Sequence, residues 1–137
     1  MPMLRLLTLV TILIAAAACG DDNPTTPTQP TTPRPTVTEP FSGTLNINGA
    51  ATHSFATGSG QIQVTVTELL PDSGAVIGVS LGTWNGAACQ IVLANDNATV
   101  AAAVLGTASG PGNFCARVYD VGKLKAATEY KLEVIHF

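Results

Sequence analysis

Hydrophobic positions divide this 137-residue chain into three stretches. Leu6 to Ala18 is thirteen residues without a charge, Asn23 to Pro40 holds Val37 as its one large aliphatic residue, and from Phe41 onward short apolar runs alternate with turn residues. Turn signals at intervals of roughly eight to twelve residues are the rhythm of an all-β sandwich or barrel. Thr44–Asn48 alternates with period two and ends in the turn dipeptide Asn48-Gly49, so a strand with Leu45 and Ile47 on one face is predicted. His53–Thr57 follows as a second strand. Gln61–Thr67 is the cleanest, placing Ile62, Val64 and Val66 on one side. After the turn Pro71-Asp72-Ser73-Gly74, Val76–Trp84 sets Ile77, Val79 and Leu81 opposite Gly78, Ser80 and Gly82. The nearly continuous apolar run Cys89–Ala94 predicts a central strand buried on both sides. Thr99–Leu105, Asn113–Asp120 and Thr128–His136 complete the set, the last with Tyr130, Leu132 and Val134 in alternation. Seven or eight strands in residues 41–137 predict two packed sheets, a jelly-roll-like β-sandwich.

The first two stretches explain why composition is a poor guide here. The chain is 46% hydrophobic and 11% charged, far below the roughly 25% charged residues of an average domain. Much of the apolar excess lies in Leu6–Ala18, which follows Arg5 and ends in Ala16-Ala17-Ala18-Cys19-Gly20. A basic start, a short apolar core and small residues at a cut site make a secretory signal peptide, residues 1–18, expected to be helical before its removal. The stretch is shorter than the roughly twenty residues of a membrane span. Its end resembles the lipobox of bacterial lipoproteins, with Ala16 where Leu is most common. The resemblance implies that Cys19 carries a diacylglyceryl group, becomes the first mature residue and is usually acylated on its amino group as well. Several acyl chains anchor a protein where one is marginal. Gly20 stands where an Asp tends to retain lipoproteins at the inner membrane, so the resemblance implies the outer membrane or cell surface.

Residues 19–40 then form a lipidated N-terminus and a disordered linker. Six Pro and seven Thr among the eighteen residues Asn23–Pro40 cannot build a core, and the segment reads as a semi-rigid polyproline spacer reaching at most about 55 Å. Without the leader, five basic residues face nine acidic ones, which excludes a nucleic-acid footprint.

Cys89 and Cys115 remain as an even pair in an exported setting, so a disulfide is expected between them, the alternative being buried free thiols facing different sheets. Asn95-Asp96-Asn97, with Asp72 and Asp120, offers oxygens of the kind calcium takes, but Asn and Asp in such clusters more often shape turns. His53 and His136 lack a second ligand at metal-binding spacing, and neither Gly-x-Ser-x-Gly nor His-Glu-x-x-His is present, so no catalytic residue, metal or cofactor is assigned. Trp84, beside the turn Asn85-Gly86, is the one candidate platform for a sugar ring, with Tyr119 and Tyr130 as weaker candidates.

The segment Gly110-Pro111-Gly112-Asn113-Phe114-Cys115-Ala116-Arg117-Val118-Tyr119-Asp120, followed by Tyr130-Lys131-Leu132-Glu133-Val134, resembles the end of the bacterial pre-peptidase C-terminal domain family. Phe55, Gly60 and Ile62-Val64-Val66 fit its opening strands. Members are jelly-roll-like sandwiches appended to secreted enzymes, where they serve targeting, adhesion or solubility. Gly78-Val79-Ser80-Leu81 replaces the acidic middle strand of many members, so a calcium role does not carry over with the resemblance. The sequence thus predicts a lipid-anchored envelope protein displaying a non-enzymatic binding or structural module, its partners the membrane and a glycan or envelope protein. Recognition of a carbohydrate or wall polymer is the alternative and requires an exposed Trp84; a small envelope hydrolase requires a pocket joining a histidine to an acid.

Overall fold

The computed structural model describes residues 33–137. The leader, Cys19 and the spacer up to Thr32 lie outside the described residues. Eight strands follow in order: β1 Val37–Leu45, β2 Ala50–Thr57, β3 Gly60–Leu70, β4 Ile77–Trp84, β5 Cys89–Ala98, β6 Ala103–Ala108, β7 Gly112–Tyr119 and β8 Thr128–His136. They form two four-stranded antiparallel sheets, ordered β1-β8-β3-β6 and β2-β7-β4-β5, and no helix occurs among the described residues. The pairing is nested, β1 with β8, β2 with β7, β3 with β6 and β4 with β5. Every connection except the β4–β5 hairpin therefore crosses from one sheet to the other.

The alternation predicted for the inner faces is present. Ile62, Val64 and Val66 are 0–1% exposed, Ile77, Val79 and Leu81 0–4%, and Tyr130, Leu132 and Val134 0–2%. Each such side chain contributes about 1.5–3 kcal/mol on leaving water, and together they join Leu45, Phe55 and Val118 in one core. The alternation does not run unbroken along β3. A bulge between Val66 and Glu68 inserts one residue against β8, so the inward parity changes and Leu69 enters the core while Glu68 turns outward to Lys131 Nζ at 2.9 Å.

Four strand expectations are corrected. β1 begins at Val37, inside the expected linker, and takes in Pro40; it is an edge strand, where a missing backbone N–H is tolerated. It also ends at Leu45, so Ile47 sits half exposed in a turn closed by Gly49 N–H donating to the Asn46 carbonyl at 2.9 Å, with Asn48 taking the left-handed conformation (φ 55°). Thr99–Ala102 is a turn with Ala101 at φ 71°, and β6 starts only at Ala103. The largest correction concerns β5. It is an edge strand, with Ile91, Val92 and Leu93 all exposed at 45%, 68% and 40%. Its pairing with β4 slips twice, Leu81 facing Leu93 while Gly82 faces Ile91, so Val92 bulges out and three successive apolar residues break the inside–outside alternation.

Strand register also defines two ends. At one end lie the chain entry at Pro33, the β2–β3 turn, the Asn85–Ala88 hairpin, the Ser109–Pro111 connection and Phe137. At the other lie the turns after β1, β3, β5 and β7.

Candidate functional site

At the entry end, β5 does not simply run beside β4 but starts by crossing its outer face. A Cβ built on Gly82 would come 2.2 Å from the Gln90 carbonyl oxygen, so the two backbones touch where only glycine fits. Directly beside this crossing Cys89 is bonded to Cys115 of β7, with 5.7 Å between their Cα atoms. The expected disulfide is thus present, and it staples the edge strand β5 across β4 to the middle of the sheet. Trp84, the last residue of β4, is half-buried next to this staple. It flanks an open cleft with Ser54, Phe55, Asn85 and Asn113. The hairpin beyond it is held by Asn85 Oδ1, which accepts the N–H groups of Ala87 and Ala88 at 2.9 and 2.8 Å. Between β5 and β6 a second, apolar cleft of about 250 Å³ has Val92 and Leu93 on its rim and Ile62, Leu81 and Phe114 at its floor.

The two histidines line the opposite side of the sandwich, where β1 meets β2. His53 Nε2 lies 2.8 Å from the Tyr130 hydroxyl and its ring stacks on Phe41 at 4.8 Å. Burial pulls the His53 imidazole below its ordinary value and pushes the Tyr130 phenol up. His136 is 3% exposed, stacks on Phe55 and shares its Nε2 with Glu39 Oε1 at 2.8 Å, while Nδ1 is buried without a partner. Sequence reading missed Glu39 as this partner because it lies in the Pro/Thr stretch; the β1–β8 register, Val37 opposite His136 and Glu39 opposite Val134, brings it diagonally onto the same inner face. Neither histidine has a serine, threonine or cysteine side chain as hydrogen-bond partner among the described residues.

Because the folded chain resists protonating His53, the unfolded chain binds that proton first as pH falls, and stability drops below about pH 6.5. Above that value both states hold the neutral ring and nothing is lost. Replacing His53 with Gln is expected to flatten the fall in unfolding midpoint between about pH 7 and 5. Chemical denaturation of both proteins at each pH measures this; parallel curves would exclude His53 as its source.

The acidic positions are occupied in contacts with their own chain, and Asn95-Asp96-Asn97, read as a turn-shaping cluster, lies instead inside β5. Asp72 Oδ1 accepts Gly74 N–H, and Asn95 Oδ1 accepts Asn97 N–H. Asp120 accepts four backbone donors, Asn48 on one oxygen and Gly122, Lys123 and Leu124 on the other; the bond from Asn48 leads in holding its carboxyl below the usual range. Asp96 accepts the Tyr119 hydroxyl, whose value is pushed up to about 12 by burial and by that carboxylate. Asn97 accepts Lys123 Nζ at 3.1 Å. Among the described residues no three His, Cys, Asp or Glu side chains gather as metal ligands would. Tyr119 lies flat over Gly78 and under Arg117, and Tyr130 is in the core, so neither joins Trp84 in a common platform.

No protein-family model matches the chain, and no curated protein is significantly similar to it.

Proposed function

We propose that the protein is a lipid-anchored component of the bacterial cell envelope, at the outer membrane or cell surface, that displays its β-sandwich as a non-enzymatic binding or structural module. The partition of the cysteines carries this reading. Cys89 and Cys115 are joined, the state of an exported, oxidising compartment, and Cys19 alone remains, at the lipobox position behind an apolar leader. The strand order β1-β8-β3-β6 over β2-β7-β4-β5 is that of a jelly roll, which supports the likeness to the pre-peptidase C-terminal family. A second reading, recognition of a glycan or wall polymer, rests on half-buried Trp84 and the cleft it shares with Ser54, Asn85 and Asn113.

The test is metabolic labelling with a palmitate analogue followed by membrane fractionation, wild type against Cys19→Ser. Label on the wild type, none on the variant, and movement of the variant out of the membrane fraction are expected. A Cys19→Ser protein that remains membrane-bound with its signal removed would overturn the proposal.

A further inference from the structure

The charged side chains are not spread evenly along the sandwich. Glu68, Asp72, Asp96, Asp120, Lys123, Lys125, Glu129 and Lys131 lie toward the end away from the chain entry, and Arg117 and Glu133 lie midway along their strands, as their register positions and connections show. The loops and termini of the entry end carry a single charged side chain, Arg34, which is turned onto the Ser59 carbonyl and hydroxyl. Glu39, near this end, is taken up by His136. Apart from uncharged polar residues such as Asn85, Gln90 and Asn113, this end offers solvent Val37 at 46% exposure, the bulged run Ile91-Val92-Leu93 on the first half of β5, and part of the half-buried Trp84.

We propose that the uncharged entry end is a membrane-docking face, with Trp84 and Val92 seated at the interface of the bilayer to which Cys19 is tethered. The proposal rests on the lipid-anchor reading above. Three observations choose a lipid surface as the occupant. Pro33, where the tether joins the domain, is at this end, and the fourteen residues from Cys19 can span at most about 50 Å, so a bilayer holding Cys19 is within reach of this end at high effective concentration. Tryptophan is enriched at the membrane interface, where an apolar ring and an N–H suit the headgroup boundary. The described loops of this end also carry no acidic side chain and Glu39 nearby is held by His136, so repulsion from anionic headgroups is weaker here than at the opposite end, which presents five acids. Exposed apolar residues at that opposite end, Ile47 and Leu70, stand among those charges.

Trp84 is the only tryptophan of the chain, so its emission reports on this end alone. The protein purified from membranes of expressing cells is weighed by mass spectrometry for lipid on Cys19 and reconstituted in phosphatidylethanolamine–phosphatidylglycerol vesicles with plain or brominated acyl chains. Brominated lipid is expected to remove about half or more of the Trp84 emission, as an interfacial indole permits. Val92→Asp, at a 68% exposed position, should abolish most of that quenching without moving the melting temperature, and Ile47→Asp should leave it intact. A protein lipidated at Cys19 whose emission is the same in both vesicles overturns docking and leaves the anchor standing. So does an indole that responds to soluble peptidoglycan fragments and not to bromine, which would make this end a glycan face. Unchanged quenching in Val92→Asp removes the apolar run from the interface and overturns the proposal as stated. A mass without lipid on Cys19 removes the anchor reading, and docking falls with it.

Discussion

Gly82→Ala is expected to lower stability by about 3 kcal/mol or more, an effect normally reserved for core truncations. The methyl group would sit 2.2 Å from the Gln90 carbonyl oxygen and 2.9 Å from the Ile91 Cα. Both are backbone atoms, so relief requires moving β5 rather than rotating a side chain. β5 cannot retreat easily, because Cys89, one residue before Gln90, is bonded to Cys115. For a domain of this size the melting temperature should fall by more than about 12 °C. Gly110→Ala is the control: nothing lies within 4 Å of the added atom, and a change within about 0.5 kcal/mol is expected. Urea denaturation of the two variants settles the matter, and equal midpoints would show that β5 does not press on Gly82. A double-mutant cycle adds a sharper reading. If the staple is what prevents retreat, Gly82→Ala should cost less in a chain lacking the Cys89–Cys115 bond.

The same crossing shows where the sequence was readable and where it was not. β8 could be assigned to its terminal residues, because nine residues alternate without interruption and each inward position is buried. The inner faces of β3 and β4 were legible for the same reason. What periodicity cannot carry is a change of phase. Nothing in Val66-Thr67-Glu68-Leu69 marks the bulge that turns Leu69 inward, and Ile91-Val92-Leu93 gives one pattern whether a strand is buried on both sides or bulged at an edge. An extra residue erases the alternation that distinguishes the two cases. The candidate sites divide similarly. Asp72 proved to be a local turn residue, which its spacing from Gly74 already allowed, whereas Asn95-Asp96-Asn97 lies within β5, a continuation of the strand that the polar composition did not signal. Glu39 meeting His136 across 97 positions, and the separation of charge between the two ends, exist only once the nested pairing is formed.

Breaking the Cys89–Cys115 bond is expected to cost about 3.5 kcal/mol, the loop-closure value for a separation of 26 residues. Cys89→Ala with Cys115→Ala should match the wild type treated with reductant, since both remove the same constraint on the unfolded chain. The more specific expectation is where the loss appears. β5 pairs with a neighbour on one side only, and two register slips weaken that ladder. Once the staple is gone, the first half of β5 becomes the least supported part of the sheet, and local opening there should outrun global unfolding. Amide hydrogen exchange should therefore rise first at Gln90–Leu93, while Ile62–Val66 and Leu132–Val134 keep the protection set by global stability. Opening of β5 also frees the uncharged apolar run Ile91-Val92-Leu93, so the reduced protein should aggregate below its melting temperature whereas the oxidised protein does not. Exchange that rises uniformly over all eight strands would make the bond a constraint on the unfolded chain alone. Faster exchange confined to β5 would make it the device that lets an exposed apolar edge persist in a folded, soluble sandwich.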